Sequence, residues 1–161
     1  MSSNPTTNED LLERWHKEVS RSRHAHYAAS RYYSKRNYWI GVPAVILSAI
    51  VGSTVFATLK KEIDLIIRLS VGILSVSASV LTALQVFLGY SAKGEKHRSV
   101  AAKYGGIRRE LEVLEEIKNS STDFSTKLSD IEQRLTAISD EAPTVPENIW
   151  NDACQQFDLK T

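Results

Sequence analysis

The sequence predicts an all-α membrane protein built on a two-transmembrane helical hairpin, with long helical extensions and a C-terminal helical tail. Three observations carry that prediction. Asn37 to Leu59 and Leu69 to Ala92 hold no charged residue and together take 47 of the 161 residues. Basic residues crowd the outer flanks of both stretches, and outside them apolar residues recur at three- and four-residue steps. At about 1.5 Å rise per residue each stretch reaches roughly 35 Å, enough to cross a hydrocarbon core of about 30 Å with some tilt. The overall mean hydropathy of −0.24 hides both spans, because the remaining chain is strongly polar.

A soluble protein with two buried helices fits less well. Helices of this length in water keep a polar face, yet Val45 to Val51 and Val80 to Leu88 carry no charge on any side. Each central Leu, Ile, Val or Phe favours the bilayer by about 0.3 to 0.6 kcal/mol, and a single central charge would oppose it by about 3.

Taken in order, residues 1–36 form an N-terminal helix with Leu12, Trp15, Val19, Ser22, His26, Ala29 and Tyr33 on one stripe. No Pro or Gly interrupts Thr6 to Ile40, so this helix runs on into the first span, residues 37–59. There Ala44, Ser48 and Gly52 repeat every four residues, a spacing that lets helix backbones approach closely. Residues 60–68 form a short outer loop, too small for an independent domain. In the second span, residues 69–92, Gly72, Ser75, Ser79, Thr82 and Gly89 share a face, with Gln85 near its edge.

Residues 93–118 continue that helix out of the membrane on Val100, Tyr104, Ile107, Leu111 and Leu114. Gly105-Gly106 marks a kink or a close helix crossing. Residues 119–161 form an acidic helical tail that opens with Asn119-Ser120-Ser121. Phe124, Leu128, Ile131, Leu135 and Ile138 then follow heptad steps for little more than two heptads, which suits a coiled coil between chains or packing on the chain's own helices equally well. Pro146 opens a last short helix through Phe157, with Ile149, Trp150, Ala153 and Phe157 as its expected buried face.

Orientation follows from Lys and Arg near the spans. Lys17, Arg21, Arg23, Arg31, Lys35 and Arg36 precede the first, Lys93, Lys96, Arg98, Lys103, Arg108 and Arg109 follow the second, and the loop has three. Both termini are therefore expected in the cytoplasm, with the first span kept as an anchor rather than cleaved as a signal. The lone Cys154 allows no disulfide within one chain, as suits a reducing compartment. Formal charge is +3 over residues 1–36, +1 over 60–68, +2 over 93–118 and −5 over 119–161. Lys35, Arg36, Lys93, Lys96 and Arg98 form a basic collar facing lipid headgroups, though retention of positive charge on the inner side explains them as well.

Ser48, Gly52, Ser75, Ser79, Thr82 and Gln85 are the candidate pore-facing or helix-packing residues. A packing seam is the simpler use of small and hydroxylated positions. Gln85 has a larger amide that needs partners, either across an oligomer axis or in a wet pore. Two spans cannot enclose an aqueous channel, so any pore requires a homo-oligomer. No nucleophile elbow, phosphate-cradling loop or Cys-x-x-Cys is present, and an enzyme, a cofactor or direct nucleic-acid binding is not expected. His24 and His26 lie on different helix faces, and hairpin register places His97 near Arg31 with His24 and His26 level with Tyr104, so no metal site is expected.

The order of these features, Arg23-His24-Ala25-His26, then Asn37-Tyr38-Trp39-Ile40-Gly41-Val42-Pro43, a hairpin, Leu84-Gln85-Val86-Phe87-Leu88 and His97/Ala101/Tyr104, resembles the SLATT family of bacterial two-helix membrane proteins over roughly Glu13 to Leu114. The resemblance implies an inner-membrane effector of bacterial conflict systems, often anti-phage, whose relatives are thought to form pores or perturb the membrane in a cell-suicide response. It also implies a trigger, a nucleotide signal or a partner sensor protein, for which this sequence shows no domain of its own. The competing reading is a membrane-anchored scaffold that recruits a cytoplasmic partner through its acidic tail. A transporter subunit is disfavoured, since neither span carries an Asp, Glu, Lys or Arg.

Overall fold

A computed structural model describes residues 8–58, 64–116 and 121–158. Among these residues the secondary structure is helical, in five elements: α1 (Asn8–Thr58), α2 (Leu65–Leu88), α3 (Tyr90–Glu116), α4 (Ser121–Glu141) and α5 (Glu147–Asp158). The chain divides into two compact units, an apolar one of Tyr32–Lys93 and a helical one of Met1–Arg31 with Gly94–Thr161.

In the apolar unit the expected first span is the second half of α1, which continues through Pro43. Proline has no N–H to return to the Trp39 carbonyl and its ring crowds that oxygen, so the helix is weakened there without ending. The expected outer loop is corrected at its far end: Leu65 to Arg68 are helical, Asp64 is the N-cap residue, and positions 60–63 lie outside the described residues. A continuous helix through the end of the second span is also corrected. At Gly89 the backbone turns left-handed, with φ 57° and ψ 31°, and its N–H donates to the Gln85 carbonyl at 3.3 Å. A side chain at that φ crowds the following carbonyl and costs about 1 kcal/mol or more, so glycine caps α2 where most residues would be strained.

This unit is inside out. Val45, Ile46, Leu65, Ile66, Leu69, Ile73, Val76, Val86 and Phe87 are exposed, Phe87 to 86%, while among the described residues Ala44 and Ala78 are the hydrophobic ones it buries. A soluble surface rarely leaves so much contiguous apolar area to water. Both apolar helices are long enough to cross a membrane, and their exposed side chains suit a hydrocarbon surround.

The helical unit is built the other way. Leu12 and Val19 of α1, Val100, Tyr104, Ile107, Leu111 and Leu114 of α3, and Ile131 and Ile138 of α4 form one buried cluster, with Trp15, Phe124, Leu128 and Leu135 packed against it. The heptad stripe of α4 is thereby spent inside its own chain, and the coiled coil between chains gives way to a three-helix core. A strip this short gains more from the two faces already tethered beside it than from a second copy. Arg134 holds Glu110 through both guanidinium nitrogens, the second at 2.8 Å, and Lys103 pairs with Glu141, stitching α4 to α3. These pairs are solvent-exposed and add little beside the core.

Gly105 marks a close crossing rather than a break. A Cβ there would come within 3.3 Å of Arg23 Nε, and α3 stays helical through it. In α5 the Trp150 N–H donates to the Pro146 carbonyl at 2.9 Å. Ile149 and Ala153 are buried, whereas Trp150, expected inside, is exposed. It lies about 100° around the helix from Ile149, off the i, i+4 line that Ile149 and Ala153 share.

Candidate functional site

Within the apolar unit a groove of about 880 Å³ runs between α1 and α2. Ser48, Val51 and Gly52 line it from α1; Ser75, Ala78, Ser79 and Thr82 line it from α2, with Val86 and Phe87 toward one end. Five of the six intramembrane residues singled out by sequence therefore share one concavity. Small residues at four-residue steps keep side-chain volume off these facing stripes, so the helices leave room between them. Beyond its own stretch of helix, no atom lies within 4 Å of the position a Gly52 Cβ would take.

Three of the groove's four hydroxyls are satisfied within their own helices. Ser48 donates to the Ala44 carbonyl at 2.8 Å, Ser79 to the Ser75 carbonyl and Thr82 to the Ala78 carbonyl, both at 2.9 Å. Such back-bonding lets a hydroxyl sit at membrane depth without an unpaired donor, and leaves oxygen lone pairs free to meet water or a neighbouring helix.

Gln85 stands apart from the groove. Its Nε2 lies 3.5 Å from Asn37 Oδ1, and 2.8 Å from where a Cβ on Gly41 would be. The half-buried amide thus lies over the bare backbone of Gly41 and ties α2 to α1. A partner within the chain accounts for an amide that the sequence alone left open between an oligomer axis and a pore.

Of the basic candidates, Lys35, Arg36 and Lys93 are exposed in the apolar unit, while Lys96 and Arg98 are exposed on the α3 portion of the helical unit. Arg36 and Lys93 are each seated on an aromatic ring. The Arg36 guanidinium carbon lies 4.8 Å from the Tyr32 centroid and Lys93 Nζ lies 5.7 Å from that of Tyr90.

A buried polar pair in the helical unit went unforeseen. His26 Nδ1 and His97 Nδ1 are 2.9 Å apart, so one ring carries its proton on Nδ1 and donates to the bare Nδ1 of the other. Both side chains are buried, and Tyr104 packs on His26 with ring centroids 5.9 Å apart. Burial, then the charge of His97, lowers the His26 pKa to about 4; burial, then Lys96, lowers that of His97. The expected pairing of His97 with Arg31 is corrected by five positions. That register was counted from a loop ending at Arg68, whereas α2 starts at Leu65, which moves the turn toward the N-terminus. Both histidines do fall on buried stripes legible in sequence, His26 with Val19 and Ala29, His97 with Val100 and Tyr104. Among the described residues no three His, Cys, Asp or Glu side chains gather in metal-binding geometry.

Against known proteins, the family model described as SMODS and SLOG-associating 2TM effector domain family 4 matches residues 9–158. No curated protein and no solved structure matches the chain.

Proposed function

From the premise that the chain belongs to the SMODS and SLOG-associating 2TM effector domain family, we propose that it is a membrane effector whose copies assemble through the α1–α2 groove and open the bilayer. Family membership makes it a membrane effector domain of conflict systems. Assembly and pore formation are the further step, and the groove is the observation that supports them. It is wide, lined by Ser48, Gly52, Ser75, Ser79 and Thr82, and lies on a pair of helices that cannot enclose a channel alone.

In lipid, apolar burial gives no driving force between helices, so association depends on close backbone approach and on polar atoms that gain partners. The groove offers both. A helix from a second copy seated in it would meet small residues and hydroxyl oxygens, and a ring of such contacts would place these oxygens around a wet axis. The membrane is the bacterial inner membrane and both termini are cytoplasmic, as the basic flanks favour. Activation comes from a partner sensor protein or a nucleotide signal acting on the helical unit, since the two spans leave little chain outside.

Cysteine cross-linking in native membranes tests the assembly. In a Cys154→Ala background, Gly52→Cys should give an oxidised dimer on triggering, and Ser79→Leu in the same chain should abolish it by filling the groove. Val45→Cys, exposed to 69% but outside the groove, should cross-link weakly. A dimer through Val45→Cys and none through Gly52→Cys would place the interface elsewhere.

A further inference from the structure

One end of the apolar unit carries an unbroken line of aromatic and cationic contacts. Arg36 lies over Tyr32, and Tyr32 meets Tyr33 edge-on with centroids 5.3 Å apart. Tyr33 packs on Tyr90 at 5.9 Å, and Lys93 lies over Tyr90. Two cations on α1 and α3 are thereby joined through three rings. The tyrosines are half-buried, whereas Arg36 and Lys93 are exposed.

Charge is unbalanced there. Residues 32–41 and 84–93 contain Lys35, Arg36 and Lys93 and no Asp or Glu. Asp64, the described carboxylate of this unit, caps the opposite end of α2. Among the described residues neither Arg36 nor Lys93 forms an ion pair. A cation held over a ring face keeps its outward N–H groups free for an anion, and its side-chain entropy is already reduced. Next along the chain, Tyr38 and Trp39 are 64% and 68% exposed, and Val86 and Phe87 more so. Amphipathic rings of this kind settle at the headgroup level, with bare apolar side chains below them.

We propose that this ladder, Arg36, Tyr32, Tyr33, Tyr90 and Lys93, is a binding site for anionic phospholipid, with the cations at its two ends attracting the headgroup phosphate and the exposed Trp39 and Phe87 offering apolar surface to the acyl chains. The source is a lipid rather than free phosphate because the cations adjoin an exposed apolar surface that a soluble anion would leave uncovered. The site rests on the chain's spanning a bilayer and is independent of whether copies form a pore.

The test uses the full chain, extracted in mild detergent and offered an equimolar mixture of phosphatidylglycerol and phosphatidylcholine, with retained lipid read by native mass spectrometry. A basic residue near an anionic headgroup contributes about fivefold in preference. Wild type should retain phosphatidylglycerol at about tenfold or more over phosphatidylcholine. Arg36→Gln should lower that ratio several-fold, and Arg36→Gln with Lys93→Gln should bring it near one. Tyr32→Leu, which keeps the charge but removes its seat, should lower it as well. Lys17→Gln, the same charge loss in the helical unit, should leave it unchanged. The site is overturned if wild type shows no preference, if Arg36→Gln with Lys93→Gln or Tyr32→Leu keeps the full ratio, or if Lys17→Gln lowers it as far as Arg36→Gln. Inorganic phosphate competing the lipid off at millimolar concentration would overturn the choice of a lipid.

Discussion

Acidifying the protein from pH 7.5 to 5 is expected to cost the helical unit about 2 kcal/mol of stability through His26 alone. In the fold this imidazole takes a proton at about 4, because burial, then the charge of His97, oppose the charged form; its ordinary value is 6.5. The unfolded chain therefore binds the proton first. Stability falls as pH drops through 6.5 and goes on falling until pH is below about 4, where the whole contribution is lost, while well above 6.5 this group adds no slope. His97 is lowered in the same direction, by burial and then by Lys96, and adds to the loss with the same sign. One charged ring can still donate to its neutral partner across the 2.9 Å contact, but two charged rings have no acceptor between them. Amide hydrogen exchange along His97 to Leu111, corrected for intrinsic rate, reads the opening free energy at both pH values. An equal or larger value at pH 5 would show that the pair is not held neutral by burial.

Ile107→Ala should destabilise the same unit by about 3 kcal/mol. Ile107 is fully buried where α3 meets the core shared with α1 and α4, so truncation removes apolar contact and leaves a cavity that fixed helices close only in part. Loss of that contact should loosen α4 first, since Ile131 and Ile138 pack in the same cluster. Phe87→Ala offers the contrast. Phe87 is larger but 86% exposed in the apolar unit, and its truncation should leave the opening free energy of α3 amides within about 0.5 kcal/mol. Similar costs for the two substitutions would mean that the buried cluster does not carry the stability of the helical unit.

The spans were legible because absence of charge over more than twenty residues is an unambiguous signal, and helical continuity into α1 because nothing before Gly41 interrupts it. The stripes that line the groove were legible for a related reason, since Ser48 and Gly52, or Ser75, Ser79 and Thr82, share a helix face by spacing alone, whereas the space between the two helices was not. Where two helices must be set against each other, spacing is insufficient. Register depends on the turn, and Arg68 looked like the end of a polar loop, although Asp64 ahead of Leu65, Ile66 and Ile67 is a good helix start. A four-residue error there separated His26 from His97 and hid the buried pair. Gly89 was equally opaque, since a glycine on a small-residue face and a glycine that caps a helix have the same neighbours in sequence. The stripe of α4 has the same spacing whether it packs on its own chain or another, and only the nearness of α3 and α1 decides it.

Membrane potential, read by a voltage-sensitive dye in bacteria expressing the chain with its neighbouring genes under triggering conditions, tests the proposed effector role most directly. Wild type should depolarise the cells within minutes of triggering, and Ser79→Leu, inserted to the same level, should leave them polarised. An unchanged potential with inserted wild-type protein, or full depolarisation by Ser79→Leu, would contradict a pore assembled through the groove, the first outcome favouring a membrane-anchored scaffold and the second a route through the membrane that the groove does not line.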